Sequence, residues 1–293
     1  MTIQQDIKIK QLTIIGVGLI GGSFAIALRN AGLVEKVVGF GRSEDNLKKA
    51  VELGVVDSYT KNLKEAIETA DVVFIAVPLG SMKDIFIGIK DHLSPEAIVT
   101  DGGSAKASVI NDWFSVFGND KQFIAGHPIA GTENSGVGAA LADLYQDRRV
   151  ILTPTSTTNK QALETITALW EACGADVSQM SVDQHDQVLA ATSHLPHMLA
   201  YGLVETLVKL EAQTDIFKYA AGGFRDISRI ASSSPEMWRD ICLSNADALS
   251  LVLDSYIKEL SELARLIKTN DGDALLALFA SAKKSRDDFV DGL

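Results

Sequence analysis

The sequence predicts an α/β fold in which a doubly wound parallel sheet is followed by an all-helical domain. Short β-branched runs alternate with helical stretches over residues 1–179, and this alternation is typical of a parallel sheet. No strand signal follows Met180. The chain has 293 residues, which is enough for two domains with separate hydrophobic cores. We therefore expect a sheet domain over 1–179 and a helical domain over 180–293.

The predicted strands are short apolar runs bounded by glycine or polar residues. They are Leu12–Val17, Lys36–Phe40, Asp71–Val77, Ala97–Asp101, Gln122–Gly126 and Val150–Thr153. Helical segments lie between them, as in Gly21–Ala31, Glu44–Leu53 and Ala105–Phe117. Ser43 is the expected N-cap of the second of these helices, because the acids Glu44 and Asp45 follow it in the first turn.

The residues after Met180 are expected to form helices that associate with a second copy of the chain. The stretch 188–208 is apolar on nearly every face, which is typical of a helix buried on all sides. Between Leu249 and Ile267 apolar residues recur at steps of three and four, and 270–272 (Asn-Asp-Gly) ends that helix. A domain of this size does not cover such a helix by itself, so we expect a homodimer through the helical domain.

Composition and charge argue against several other classes of protein. The formal net charge is −11 and no run of Lys and Arg exceeds two residues, so a nucleic-acid or anionic membrane surface is not expected. Cys173 and Cys242 are the only cysteines and give no disulfide framework. The N-terminus has no hydrophobic signal region, and no uncharged run reaches the ~20 residues of a membrane span. We expect a cytoplasmic protein.

The first predicted strand runs into a glycine-rich turn that is typical of a Rossmann-like dinucleotide site. Gly16 allows the tight turn, Gly18 lets the backbone approach a pyrophosphate, and Gly21 permits close packing of helix on strand. A GxGxxG spacing alone is a weak signal, but its place between a strand and a helix of a βαβ repeat makes it specific. The expected cofactor contacts in this turn are Gly16, Gly18, Leu19, Ile20 and Gly21.

The strand that ends at Phe40 bears on the choice between NAD and NADP. An acid at this strand end would bind the ribose hydroxyls and repel a 2′-phosphate, but the sequence has Gly41-Arg42-Ser43. Arg42 and Ser43 supply a cation and a hydroxyl where that phosphate would lie, although Arg42 has a simpler interpretation as a solvated surface cation. We expect NAD+ or NADP+ as cofactor, with NADP+ accepted.

A dehydrogenase that oxidises an alcohol needs a group to take the hydroxyl proton, and His127 is the predicted acceptor. It ends the predicted strand Gln122–Gly126, and the functional groups of doubly wound sheets gather at the carboxyl ends of strands. From the residues alone, the other histidines are better interpreted as structural. His194 and His197 flank Pro196, which is expected to kink its helix, and they have no third ligand at a spacing that would hold a metal.

Six segments, in order, resemble the prephenate/arogenate dehydrogenase family over essentially the whole chain. They are GVGLIGGS (16–23), AVP (76–78), TDGGSAK (100–106), GHPIAGTENSG (126–136), SHLPH (193–197) and GFRDISRIASSSPEMWRD (223–240). The resemblance implies a Rossmann-like domain followed by a helical dimerisation domain. It also implies oxidative decarboxylation of prephenate, L-arogenate or both, to 4-hydroxyphenylpyruvate or L-tyrosine, with hydride transfer to NAD(P)+ in tyrosine biosynthesis.

The resemblance assigns roles to particular residues. It implies that His127 accepts the proton of the substrate's ring hydroxyl and that Ser104 orients His127 and the nicotinamide. The implied substrate-binding residues are His197, Arg229, Thr132, Gly222 and Trp238, with Arg229 on a carboxylate. His185 and Asp226 match positions that support the pocket, and Val77 and Pro78 match cofactor contacts. No metal is expected, because the chemistry does not require one.

Two alternatives stay open on the sequence. A β-hydroxyacid dehydrogenase also joins a Rossmann domain to a helical one, but it needs a catalytic lysine early in the helical half, and Lys209 there lies deep in an apolar helix. A non-catalytic, nucleotide-sensing Rossmann protein would have no reason to hold Ser104, His127 and Arg229 together. No fused mutase or regulatory domain is expected, because the chain begins at the nucleotide fold and ends in helix.

The arginines of the 223–240 segment also have a simpler interpretation. Arg225, Arg229 and Arg239 lie close in sequence to acidic residues, so any of them is a candidate for an ordinary ion pair. Trp238 is more often a core residue than a ligand contact.

Overall fold

The computed structural model describes residues 7–132, 134–211 and 216–292. Packing divides the chain into two compact units, Met1–Ala246 and Asp247–Leu293. The division between a sheet domain and a helical domain at 179/180 stays a prediction. Among the described residues, no helix is long and apolar enough to cross a membrane.

The larger unit is built around a six-stranded parallel sheet. Its strands are β1 (Ile9–Ile15), β2 (Val34–Phe40), β3 (Ser58–Thr60), β4 (Val72–Ile75), β5 (Ile98–Asp101) and β6 (Phe123–Ile124). They run in the order β3-β2-β1-β4-β5-β6. This order reverses between β1 and β4, where doubly wound sheets bind ligands. The predicted fold class is confirmed.

Helices that lie between these strands, and one helix that follows them in the chain, cover the sheet. They are α1 (Leu19–Asn30), α2 (Glu44–Glu52), α3 (Leu63–Ile67), α4 (Met82–Ile89), α5 (Ala107–Phe117) and α6 (Lys160–Ala172). Neighbouring residues of β4 point to opposite faces, so Phe74 packs in one hydrophobic core and Ile75 in the other. Phe24 of α1 and Trp170 of α6 meet in the first core, with ring centroids 4.4 Å apart. Because both faces are covered, all four residues of β4 are buried.

A second, smaller sheet follows, and the sequence did not predict it. It contains β7 (Gly126–Pro128), β8 (Arg149–Leu152) and β9 (Asp176–Gln179), with β7 antiparallel and β9 parallel to β8. The predicted strand Gln122–Gly126 is therefore wrong in extent, and His127 lies within β7, opposite Ile151, instead of following a strand. Where the chain leaves the large sheet, the Gly126 amide donates to the Asp101 side chain, 3.1 Å away.

The remainder of the larger unit is helical, as predicted. It contains α7 (Val182–Leu189), a π-helical turn (Ala190–His194), α8 (Leu195–Glu211), α9 (Gly222–Ser228) and α10 (Pro235–Ser244), with single 3-10 turns at 217–219 and 229–232. The predicted distortion near Pro196 takes the form of the π-helical turn, which precedes a residue without an amide hydrogen. Several side chains of 188–208, among them Val188 and Val208, are exposed in the single chain.

The smaller unit contains α11 (Ala246–Lys268), except for its first residue, and α12 (Gly272–Asp291). The predicted stop at 270–272 is observed: Asn270 has φ of 53°, and the Asp271 carboxylate accepts the Ala274 amide to cap α12. Many apolar side chains of the two helices are exposed in the single chain. They include Leu251, Ile257, Leu260, Ile267, Leu276, Phe279 and Phe289.

Candidate active site

The glycine-rich turn between β1 and α1 has the geometry that a dinucleotide site needs. Gly16 has φ of +95°, and a Cβ there would lie 2.5 Å from the Ala76 carbonyl oxygen. A Cβ at Gly21 would lie 2.5 Å from the Gly16 carbonyl oxygen, whereas Gly18 faces open space. No side chain caps the N-terminus of α1 and no acid lies in its first turn. The helix amides therefore stay available for a phosphate group, and these residues fit the predicted cofactor.

The end of β2 is exposed and carries Arg42 and Ser43. The Ser43 hydroxyl accepts the Asn46 amide at 3.3 Å, so Ser43 caps α2 as predicted. Arg42 has no ion-pair partner among the residues that the structure describes. The Asn46 side chain donates to the Val17 carbonyl and accepts the Val137 amide, at 2.6 and 3.0 Å. It thereby ties the glycine-rich turn to a neighbouring loop, a role the sequence did not reveal.

Val77 and Pro78 follow β4 at the same edge of the sheet. The Val77 side chain is half-buried and borders Gly16, with Cγ1 3.0 Å from the point that a Cβ of Gly16 would occupy. Gly80, in the next turn, donates its amide to the Asp240 carboxylate at 3.3 Å. This hydrogen bond connects the segment after β4 to α10.

His127 is the first member of a chain of three hydrogen-bonded side chains. Its Nδ1 atom lies 2.9 Å from Nε2 of His185, and Nδ1 of His185 lies 2.7 Å from Oδ1 of Asp186. All three residues are buried. The chain begins on β7 and ends on α7, so a contact between two elements fixes the orientation of the His127 ring.

Asp186 is held by the N-terminus of α5. Its Oδ1 atom accepts the Lys106 amide at 2.8 Å and its Oδ2 atom accepts the Ala107 amide at 2.9 Å. These hydrogen bonds and the one from His185 outweigh the opposing effect of burial and lower the pKa of the Asp186 carboxyl. Asp186 is therefore an anion at neutral pH. The Asn245 side chain donates to its backbone carbonyl at 2.8 Å and also contacts Nδ1 of His194 at 3.1 Å.

A second buried group, the ion pair of Asp101 and Lys106, fixes the backbone next to His127. The Lys106 ammonium lies 2.5 Å from the Asp101 carboxylate and 2.6 Å from the Gly126 carbonyl oxygen. The same carboxylate accepts the amides of Gly103 and Gly126. Burial lowers the pKa of Lys106, and the Asp101 charge opposes that effect. Each partner compensates the buried charge of the other, and the pair holds both backbone groups of Gly126.

The histidines of the site are neutral at neutral pH. Burial lowers the pKa of His127 well below its ordinary value, and the charge of Lys106 acts in the same direction. Burial also lowers the pKa of His185, although the hydrogen bond to Asp186 opposes it. For His194 burial lowers the pKa to about 4. A neutral ring has a free lone pair, which is what a proton acceptor requires.

His197 and Trp238 form a stacked pair, with ring centroids 3.7 Å apart and planes inclined by 22°. The Nδ1 atom of His197 lies 2.9 Å from the Ser193 carbonyl oxygen, so Nδ1 carries the proton and Nε2 is left free. Burial lowers the pKa of His197, and the nearby charge of Arg229 adds to the effect. Arg229 itself is exposed, in a 3-10 turn, and has no ion-pair partner among the described residues.

The remaining residues that the sequence predicts for the site are Ser104, Thr132, Gly222 and Asp226. Ser104 is half-buried between β5 and α5, and its backbone faces His194. Thr132 is exposed and accepts the Asn134 amide at 3.2 Å. Gly222 and Asp226 are exposed on α9. Substrate contact by these residues stays a prediction, as does the role of Ser104. Glu133, within the same motif as His127, lies outside the described residues.

Arg239 and Lys209 both form ion pairs with neighbouring acids. Arg239 forms an ion pair with Asp240, with Nη2 and Oδ1 2.6 Å apart. The placement of Lys209 deep in an apolar helix is wrong: its side chain is mostly exposed and pairs with Glu205. In the part of the chain that the structure describes, no group of three or more His, Cys, Asp and Glu is arranged to hold a metal ion.

Sequence reasoning missed four residues of the site: Asp101, Lys106, Asp186 and Asn245. One feature of the sequence could have indicated Asp101 and Lys106. Asp101 ends a predicted strand, and Lys106 follows it within the same run of small residues. Asp186 lies in the polar segment Val182–Gln187, which resembles a solvated helix face. Only the tertiary contact with the amides of α5 buries it.

Comparisons with known proteins agree with this architecture. Residues 24–179 match the family model "Prephenate dehydrogenase, nucleotide-binding domain" and residues 181–281 match "Prephenate dehydrogenase, dimerization domain". The chain is 40% identical to the cyclohexadienyl dehydrogenase of Zymomonas mobilis, over 94% of this chain and 95% of that protein.

Two solved structures are similar over nearly their whole length. The prephenate dehydrogenase of Aquifex aeolicus, in complex with hydroxyphenyl propionate and NAD+, has a TM-score of 0.92 and 37% identity, covering 97% of this chain and 100% of the other. The arogenate dehydrogenase of Synechocystis has a TM-score of 0.80 and 31% identity, covering 95% and 99%.

Proposed function

The chain belongs to the prephenate dehydrogenase family, and from that premise we propose that it oxidatively decarboxylates a cyclohexadienyl substrate with NAD(P)+. The substrate is prephenate, L-arogenate or both, and the product is 4-hydroxyphenylpyruvate or L-tyrosine. The observation that carries the proposal is His127, a buried neutral histidine on β7, next to Gly126, whose amide donates to Asp101 at the carboxyl end of β5 in the sheet that has the dinucleotide turn. The chain is accordingly an oxidoreductase of tyrosine biosynthesis.

His127 accepts the proton of the substrate's ring hydroxyl. A bound nicotinamide would supply the acceptor for the hydride on the carbon that carries this hydroxyl, and loss of that hydride with the hydroxyl proton leaves a carbonyl group there. The bond to the ring carboxylate then breaks, its electron pair enters the ring, and carbon dioxide leaves as the ring becomes aromatic. The proton held by His127 returns to the oxygen and completes the phenol. Burial supports this role, because it keeps the ring neutral before the reaction.

Arg229, His197 and Trp238 form the recognition side of the site. A guanidinium binds a carboxylate through two parallel hydrogen bonds, and Arg229 has no described ion-pair partner that would compete. The free Nε2 atom of His197 provides a further polar contact, and stacking on Trp238 fixes its ring. Ser104, Thr132 and Gly222 complete the proposed substrate site, with Asp226 beside it.

The glycine-rich turn at 16–21 and the segment Val77–Pro78 would hold the cofactor. Arg42 and Ser43 support the use of NADP+ as well as NAD+, because a cation without an ion-pair partner in the described part of the chain and a hydroxyl lie at the end of β2, where NAD-specific sites carry an acid.

We also propose that the protein is a homodimer. The apolar side chains of α11 and α12 that a single chain leaves exposed support it, because monomers rarely expose large apolar surface. Light scattering at micromolar concentration should give twice the 31.4 kDa mass of the chain. A monomer mass would refute the dimer without affecting the catalytic proposal.

A paired assay tests the proposed reaction. The protein is incubated with prephenate or L-arogenate, each with NAD+ and with NADP+, and reduced nicotinamide is followed. Turnover of at least one substrate is expected. Binding of cofactor without turnover of either would favour a non-catalytic nucleotide sensor. Turnover of a linear β-hydroxyacid alone would favour the β-hydroxyacid dehydrogenase alternative.

A further inference from the structure

We propose that Asp186, acting through His185, is a positioning residue that holds His127 in the tautomer whose Nε2 atom accepts the substrate proton. The inference rests on the proposed function of His127 and adds the identity of the reacting nitrogen. It also gives the buried aspartate a role in the reaction, although His185 and His127 lie between that residue and the proposed substrate in the hydrogen-bonded chain.

The ionised carboxylate of Asp186 can only accept hydrogen bonds. Oδ1 of Asp186 lies 2.7 Å from Nδ1 of His185, so that nitrogen carries a proton and donates it. The two amides at the N-terminus of α5 donate to the same carboxylate. They hold it in place and favour its charged form.

The proton on Nδ1 of His185 determines the rest of the chain. A neutral imidazole has one N–H, so Nε2 of His185 is left with a lone pair. That lone pair faces Nδ1 of His127 at 2.9 Å, and the only consistent hydrogen bond is one donated by His127. The Nε2 atom of His127 is then the nitrogen without a proton. It is the atom free to accept one.

The same chain provides a place for the positive charge that forms. When the substrate proton reaches Nε2 of His127, the Nδ1 proton can move to Nε2 of His185. His127 is then neutral again, and the cation on His185 lies beside the Asp186 anion. The balance is one proton gained from the substrate hydroxyl and one passed along the existing hydrogen bond.

The neighbouring charges favour a positive charge on His185 over a positive charge on His127. Lys106 and the rings of His185 and His194 face His127, and each disfavours a positive charge on it. Asp186 and Asp101 face His185 and favour a positive charge there, against the effects of burial and of Lys106. A cation is therefore better accommodated on the ring that touches Asp186.

The direct test reads the tautomer in the intact, full-length protein. Histidine ring nitrogens are labelled with ¹⁵N, and the signals of His127 and His185 are assigned with the His127→Asn and His185→Asn variants. At neutral pH we expect both rings to be protonated at Nδ1 and unprotonated at Nε2. A His127 ring protonated at Nε2 in the wild-type protein would overturn the inference, whatever the activity.

Kinetics of Asp186→Asn provide the second test. The side chain of asparagine has one oxygen where aspartate has two. At least one of the three groups that donate hydrogen bonds to residue 186 would then face an N–H group. His185 is therefore no longer held in one tautomer. We expect kcat to fall roughly 10–100-fold, by analogy with carboxylates that orient metal-bound histidines, with the KM for substrate and cofactor nearly unchanged. The control is Asp183→Asn, an exposed carboxylate on the same helix, which should leave kcat unchanged.

The outcomes separate this inference from the function on which it rests. If His127→Asn keeps normal turnover, the proposed role of His127 is wrong. If His127→Asn is inactive while Asp186→Asn has normal kcat and an unaltered pH profile, only the role of Asp186 is wrong. If Asp186→Asn does not fold, the ¹⁵N spectrum of the wild-type protein still decides.

Discussion

The candidate site has a proton-transfer side, formed by His127, His185 and Asp186, and a recognition side, formed by Arg229, His197 and Trp238. The two sides differ in how the fold holds their side chains. His127, at 7% exposure, is buried in a hydrogen-bonded chain that joins β7 to α7 and α5. Arg229 lies exposed in a short 3-10 turn, without an ion-pair partner among the described residues. One side is fixed by contacts within the fold before any ligand binds. The other side keeps its charge available for the ligand.

This difference follows from what each side must do. Proton transfer depends on the orientation and tautomer of one ring, and neighbours that hydrogen-bond to it fix both. Recognition of a carboxylate depends on a charge that is free to form new hydrogen bonds, so internal partners would compete with the substrate. Substitutions on the buried side should therefore change kcat, whereas substitutions on the exposed side should change KM.

The largest effect is expected for His127→Asn. Loss of the proton acceptor should lower kcat by roughly 10²–10⁴-fold, with little change in cofactor affinity. Steady-state kinetics and cofactor titration measure the two quantities separately. The control is His92→Asn, an exposed histidine, which should behave as wild type. Near-normal turnover in a folded His127→Asn protein would show that His127 is not the proton acceptor. The buried side would then not control kcat as described.

A smaller effect, and a different one, is expected for Arg229→Ala. A hydrogen-bonded charge is worth about 1.5–3 kcal/mol, so the KM for prephenate should rise at least about tenfold. Arg149→Ala removes an exposed arginine of β8 that pairs with Asp176, and it should leave KM unchanged. An unchanged KM in Arg229→Ala would show that the carboxylate is bound elsewhere.

The buried histidines should also make the fold sensitive to acid. The pKa of His194 is about 4 in the folded chain against an ordinary value of 6.5, so between these values the unfolded chain binds more protons. Its contribution to stability is complete above about 6.5 and is lost as the pH falls toward 4, by up to about 1.4 kcal/mol per pH unit.

Denaturant titrations at several pH values measure this dependence. His194→Gln should have a weaker dependence on pH than wild type, whereas His92→Gln, at an exposed position, should not differ from wild type. An equal dependence in all three proteins would mean that protonation of His194 does not affect the stability of the fold.

A contrast between local sequence patterns and contacts distant in sequence explains which features the sequence predicted. The glycine-rich turn was predicted because the backbone conformation it requires leaves a pattern in the residues, whereas the strand predicted to end before His127 was wrong in extent. The strand β9 was missed because Asp176–Gln179 is mostly polar, and β3 because it has only three residues. Asp186 was missed because its burial depends on the N-terminus of α5, which is distant in sequence.

The smallest effect is expected at the cofactor end. Arg42→Ala should lower the efficiency with NADP+ roughly two- to fivefold, because an exposed charge pair contributes about 1 kcal/mol or less. Efficiency with NAD+ should hardly change. Lys48→Ala, which removes an exposed cation of α2 that pairs with Glu44, should affect neither. An enzyme with no measurable turnover of NADP+ would make the interpretation of Arg42 wrong.

The central claim is an oxidation coupled to decarboxylation, with His127 as the proton acceptor. The most direct measurement uses prephenate labelled with ¹³C in its ring carboxylate, and L-arogenate labelled in the same way, and follows labelled carbon dioxide together with reduced nicotinamide. We predict one labelled carbon dioxide for each reduced nicotinamide with the wild-type protein, and loss of both signals together in His127→Asn. Reduced nicotinamide without labelled carbon dioxide, or neither product from either substrate, would contradict the account.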